Sequence, residues 1–193
     1  MARNPLHARW SSGLLRLAAL TLMGVAAASA AAVASAAAPG LIGQAAPDFA
    51  LPAVDADNVR LSEYLGQPVI VLFWSSRCAV CAAQLSRLDR LYDTYRSSGL
   101  MVLAVSVDSD LVRAQRYARA HAGHFPILLD RAETVARAYA IERLPTTVLI
   151  DRAGVVRYVH DGRAEDRSYI TQIRALLDDT DEAPQSALGS SDH

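Results

Sequence analysis

The run VIVLFW at residues 69–74 sets six apolar residues in a row, with no polar alternation. A strand of that kind has no face to show to water, so it belongs at the centre of a sheet covered on both sides. LMVLAVSVD at 100–108 gives a second buried strand and FPILLD at 125–130 a short third one. TTVLIDRAGVVRYVH at 146–160 predicts a hairpin that turns at DRAG, with alternation on its second arm.

Between the strands the period changes to helical. Cys81, Leu85, Leu88 and Tyr92 recur on one face from about Cys78, and Gly99 closes that helix. A second helix is predicted from Asp110 to His121, with Asp108 and Asp110 at its positive end. Ala132 to Tyr139 predicts a third, and Tyr169, Ile170, Ile173, Leu176 and Leu177 line a last one. Ahead of these, Asp48–Leu51 and Val59–Leu61 flank a turn-like DADN, and a brief helical turn from Ser62 ends at Gly66. Strands alternating with helices imply an α/β fold, a central mixed β-sheet flanked by helices on both faces.

The chain has 193 residues and a net charge of −1, enough for one sizeable core and without the basic excess that nucleic acid requires. Residues 1–38 are of another kind. Arg3, His7, Arg9 and Arg16 make a basic lead, Leu17–Val25 is apolar, and small residues follow, with no acid before Asp48. That order is expected of a signal peptide cut after Ala30 or Ala36, the alternative being an uncleaved membrane anchor. No cysteine lies near the cut, so lipid attachment there is excluded. The folded domain is expected over 41–178 and a disordered tail over 179–193, where the chain is small, polar and acidic. The expected location is periplasmic or otherwise extracytoplasmic, with membrane contact only through an uncleaved leader.

Cys78 and Cys81 are the only cysteines. As a structural staple they close almost no loop. Zinc needs four ligands, and only His121 and His124 offer to complete the set, so no metal is expected. Two small core residues would be the plainest reading. Position favours a redox pair instead: Cys78 falls at a strand-to-helix junction, where unpaired N–H groups stabilise a thiolate, and Cys81 lies on the buried face. One activated sulfur beside one sheltered sulfur suits thiol–disulfide exchange.

APDFALP, VRLSEYLGQPVIVLFW, CAVC, FPILLD and YAIERLPTTVLIDRAGVVRYVHDG occur in an order that resembles the thioredoxin superfamily, most closely its exported TlpA/ResA-like branch of thiol-disulfide oxidoreductases. The resemblance covers about Leu41 to Leu177. It implies a thioredoxin-like fold with an N-terminal β extension and a central βα insertion. It also implies Cys78 and Cys81 as catalytic residues, and a cis Pro145 that, with Leu144 and Trp74, receives an extended partner. The cofactor expectation is none beyond the Cys78–Cys81 disulfide. The expected partners are protein dithiols or disulfides and an unidentified electron donor, the chain acting as a monomer and as a reductase.

Departures from the family pattern are specific. Arg77 replaces the aromatic residue usual before the first cysteine, Gln84 stands where Glu is frequent, and Ser86 where a helix-kinking proline is usual. Leu72 occupies the place of the buried acid of cytoplasmic thioredoxins, so no carboxylate is apparent beside Cys81. Arg77 and Gln84 are therefore the candidate pKa-tuning residues. Two other readings share the pattern. A peroxiredoxin-like peroxidase fits the first half, although Val71 stands where its proline belongs. A non-catalytic binding module of the same fold fits the missing carboxylate.

Overall fold

Every residue of Val69–Trp74 is buried, which is the outcome that an unbroken apolar strand requires. The computed structural model describes residues 40–55, 57–162 and 166–179. The leader and the 180–193 stretch of the expected tail lie outside the described residues. No helix among those described is long and apolar enough to cross a membrane.

The strands are β1 (Ala50–Pro52), β2 (Asn58–Arg60), β3 (Val69–Trp74), β4 (Met101–Ser106), β5 (Ile127–Leu129), β6 (Thr146–Ile150) and β7 (Val156–Asp161). The helices are α1 (Cys81–Tyr95), α2 (Leu111–His121), α3 (Thr134–Ala138) and α4 (Asp166–Asp178). The main sheet runs β5-β4-β3-β6-β7. Strands β3, β4 and β5 are parallel, while β6 and β7 are antiparallel to their neighbours. The predicted mixed sheet is thus present, and α2 with β5 forms the central insertion.

Alternate residues of the same strands build two separate cores. Ile70, Leu72 and Trp74 pack with Cys81, Leu85 and Leu88 of α1, Ala114 and Ala118 of α2, and Tyr169 and Ile173 of α4. Val69, Val71 and Phe73 pack on the other face with Val135 and Ala136 of α3 and with Phe49, Leu51, Val59 and Leu61. The antiparallel β1–β2 pair therefore covers the face that α3 is too short to fill. Tyr139 belongs to this core; its hydroxyl donates to the Pro47 carbonyl at 2.8 Å, and burial pushes its phenol well up.

Two boundaries differ from the sequence expectation. Regular α1 begins at Cys81 rather than near Cys78, with the Cys81 N–H closing a turn onto the Cys78 carbonyl at 3.1 Å. α3 is shorter than Ala132–Tyr139 because buried Asp130 accepts from the Thr134 and Ala136 amides, fixing its start, and Ala140 turns left-handed at φ 49°. Only glycine adopts that conformation without steric cost. Exposed Ala140→Gly is expected to stabilise the protein by about 0.5–1 kcal/mol, after the entropy that glycine adds to the unfolded chain. Urea melts at matched slope measure it, and an unchanged or lower midpoint refutes the strain.

The arginines of α2 lie on a solvated face: Arg113 pairs with Asp110 at 3.9 Å and Arg119 with Asp55 at 3.5 Å, all well exposed. The DRAG turn is held by buried Asp151, which accepts from the Val155 amide and from Arg157.

Candidate active site

β3 ends at Trp74, and the chain must then reverse direction to start α1 across the sheet. The reversal is the SSRCAV turn, pinned by hydrogen bonds at successive residues. The Cys78 N–H donates to the Ser75 carbonyl at 3.1 Å, and the Arg77 N–H donates to the Ser75 hydroxyl at 3.1 Å. Tyr117 of α2 donates to the Cys78 carbonyl at 3.4 Å. Cys78 and Cys81 are joined as a disulfide, with Cα atoms 5.4 Å apart. Cys81 has no exposed surface and is packed in the α1-side core, whereas Cys78 is only partly buried.

A groove of about 440 Å³ opens beside Cys78, with Val107, Ile141 and Leu144 as its apolar lining and Arg77, Arg143, Glu133 and Glu142 as its charged residues, two of each sign. Leu144 and Pro145 are joined by a cis peptide bond, as the resemblance implies. The Pro145 carbonyl accepts from the Gly162 amide at 2.7 Å and the Arg143 carbonyl from the Thr146 hydroxyl at 2.8 Å. Among the described residues the Leu144 amide and carbonyl carry no hydrogen bond. One backbone pair is thus left open at the groove wall, and backbone of that kind pairs with an extended peptide.

Trp74 corrects an expectation. It has no exposed surface, so it offers nothing for a partner to touch. As the last residue of β3 it points into the α1-side core, where Tyr117 stacks on it at 5.6 Å and 18°. It acts as the floor beneath the SSRCAV turn.

Gln84 is one turn beyond Cys81 on the same buried face, and is 1% exposed. Its amide nitrogen donates to the Thr147 hydroxyl at 3.2 Å and to the Tyr169 hydroxyl at 2.8 Å. Burial pushes the Tyr169 phenol up, so it remains protonated and is no base for Cys81. Ser86, in place of a kinking proline, donates to the His121 carbonyl at 3.1 Å and ties α1 to the end of α2.

Asp108 is the residue that sequence reasoning misplaced. Only Asp110 caps α2, accepting from the Arg113 amide at 3.0 Å. Asp108 turns inward, is 1% exposed, and accepts from the Ser75 hydroxyl at 2.6 Å, the Ser76 amide at 2.7 Å and the Ser76 hydroxyl at 3.1 Å. The only available signal was the two serines of FWSSRC, small hydroxyl residues just before the cysteine. The histidines considered for zinc lie elsewhere: His124 stands 3.3 Å from both Asp89 and Asp93, and the ring of His121 packs against Tyr117.

Arg77 is exposed, and among the described residues its guanidinium has no hydrogen-bond or ion-pair partner. A free cation one residue from Cys78 still favours the thiolate, though solvent screens it. Arg77→Ala is expected to raise the pH midpoint of Cys78 alkylation by roughly a few tenths of a unit and to make the reduction potential slightly more negative. Unaltered values for both would reduce Arg77 to a solvated loop residue.

A five-stranded mixed sheet that presents a C-x-x-C disulfide opposite a cis-proline loop defines a protein of the thioredoxin class. Residues 42–159 match the AhpC/TSA family, and the chain belongs to it. It is 35% identical over 121 residues to a protein named thiol-disulfide oxidoreductase ResA from Geobacillus thermodenitrificans, covering 63% of this chain and 70% of that one. A protein of the same name from Halalkalibacterium halodurans is 32% identical over 150 residues, or 77% of this chain and 85% of the relative. Among solved structures, a chain from Chlorobium tepidum described as a DsbE thiol:disulfide interchange protein superposes with a TM-score of 0.68 at 30% identity, over 72% of this chain and 99% of that one. With the disulfide in place, these likenesses make the chain a thiol–disulfide oxidoreductase.

Proposed function

We propose that the chain exchanges disulfides with protein partners outside the cytoplasm, Cys78 attacking and Cys81 resolving. The observation that carries this assignment is the unequal burial of the pair. Only Cys78 has surface on the groove, while Cys81 is sealed behind it. In the reduced protein the Cys78 thiolate attacks a partner disulfide, forming the Cys78–partner bond and releasing the partner's other sulfur as a thiolate. The Cys81 thiolate then attacks the Cys78 sulfur, the second partner sulfur leaves, and two electrons have passed to the partner. The protein is left with its own disulfide, which an external dithiol donor must reduce. No separate cofactor enters this cycle.

Charge placement supports the reducing direction. The Asp108 carboxylate is buried beneath the Cys78 turn and poorly screened, whereas the Arg77 cation is exposed and screened. A poorly screened negative charge under the turn opposes the thiolate and so favours the disulfide, which makes the dithiol the better reductant. The leader reading supports action outside the cytoplasm, as a soluble monomer once cut or tethered if uncut. Equilibration with a glutathione or dithiothreitol series tests the direction. The pair should fall near the thioredoxin end of the scale, about −270 mV, and a value near the DsbA end, about −120 mV, would reverse the assignment to an oxidant.

A further inference from the structure

A carboxylate with almost no exposed surface is tolerated only when donors surround it. Asp108 has four: the Ser75 hydroxyl, the Ser76 amide and hydroxyl, and the Ser106 hydroxyl at 3.0 Å. The Ser75 and Ser106 hydroxyls each already accept an amide, from Arg77 at 3.1 Å and from Asp108 itself at 3.2 Å. Their protons are thereby directed at the carboxylate, and the arrangement is that of an ionised acceptor. Three of the four donors belong to the turn that carries Cys78, and only one to β4.

Ser75 is the junction. Its hydroxyl links Asp108 to the Arg77 amide, and its carbonyl receives the Cys78 amide at 3.1 Å. From the other side, Tyr117 holds the Cys78 carbonyl. The backbone bearing the attacking sulfur is therefore fixed through Asp108 relative to β4, the neighbour of β3 in the sheet. The opposite wall of the groove, at Leu144, belongs to the loop leading into β6. Exchange with a protein disulfide needs the sulfur to meet a bond held against that wall, and small misplacement of a reacting atom is costly. A small, freely turning disulfide carries no such requirement.

We propose that Asp108 is a positioning residue for exchange with protein partners, acting through Ser75 and Ser76 to hold the Cys78 sulfur in register with the Leu144 wall. The proposal rests on Cys78 being the attacking sulfur. The test uses the full chain, reduced, at a pH where the Cys78 thiolate is fully formed, so that protonation no longer enters the rate. Second-order rate constants are measured with insulin and with 5,5′-dithiobis(2-nitrobenzoate). Ser75→Ala and Asp108→Asn should each lower the ratio of the insulin rate to the small-disulfide rate by about tenfold. Asp151→Asn, which disturbs a buried carboxylate in the β6–β7 turn, should lower the thermal midpoint and keep the wild-type ratio. Wild-type ratios in both Ser75→Ala and Asp108→Asn would show the clamp to be structural only and overturn the proposal. Should Asp108→Asn fail to fold, Ser75→Ala decides alone. A wild-type protein that reduces neither disulfide would overturn the exchange reading itself, and this proposal with it.

Discussion

Cys81→Ser should accumulate as a covalent complex with its partner, while Cys78→Ser should form none and lose exchange altogether. The asymmetry follows from burial. Cys81 has no exposed surface in the α1-side core, so a partner disulfide reaches only the Cys78 sulfur. With Cys81 removed, the Cys78–partner bond forms and nothing inside the protein attacks it. Non-reducing gels after incubation with a disulfide-bearing protein read the result. A complex in Cys78→Ser and none in Cys81→Ser would exchange the roles of the two sulfurs. Both substitutions replace a sulfur by a slightly smaller oxygen, so a fold-wide effect is expected only at buried Cys81, where a hydroxyl must find a partner.

Gln84→Glu should act on stability and on rate in opposite senses. The amide of Gln84 gives hydrogens to Thr147 and Tyr169, and a carboxylate gives none. Burying that carboxylate should cost about 1–3 kcal/mol at neutral pH, even if both hydroxyls turn to donate to it. Burial raises the folded-state pKa of the new acid above its unfolded value of about 4.3. The folded state then holds the proton more tightly, so the loss is absent at low pH and grows as pH rises from about 4.3 to the folded pKa. The same carboxylate, one turn from Cys81, supplies the proton acceptor that the wild-type site lacks there. Resolution of the mixed disulfide should quicken by about tenfold or more, since a positioned base contributes at least that much. An unchanged resolving rate across pH would mean that Cys81 loses its proton without help from this position.

The strands and the main helix face were legible because hydrophobic period is a local property. VIVLFW is uniformly buried, and Cys81, Leu85 and Leu88 face the core as their spacing requires. The β1–β2 pair and the final hairpin follow from their turn residues in the same way. The cis bond before Pro145 was legible only through resemblance to a family, since nothing local distinguishes it.

What escaped was settled by partners distant in sequence. Trp74 is hidden because Tyr117, from the inserted α2, lies over it. Asp108 reads locally as an acid near a helix start, yet its partners Ser75 and Ser76 are 33 and 32 residues away. Gln84 was visible as a departure from the family, but not that Tyr169, 85 residues on, would occupy its amide. In each case the deciding contact is one that no spacing rule contains. A buried acid does lie under the Cys78 turn, bonded to Ser75 and Ser76, while the position of the thioredoxin acid on β3 is filled by Leu72.

The most direct test of the redox centre is catalysed reduction of insulin by the full chain with dithiothreitol as donor, followed as B-chain precipitation. Wild type should shorten the lag, and Cys78→Ser should match the protein-free control. A wild-type protein that leaves the lag unchanged, or one that instead consumes hydrogen peroxide as its faster reaction, would contradict the assignment.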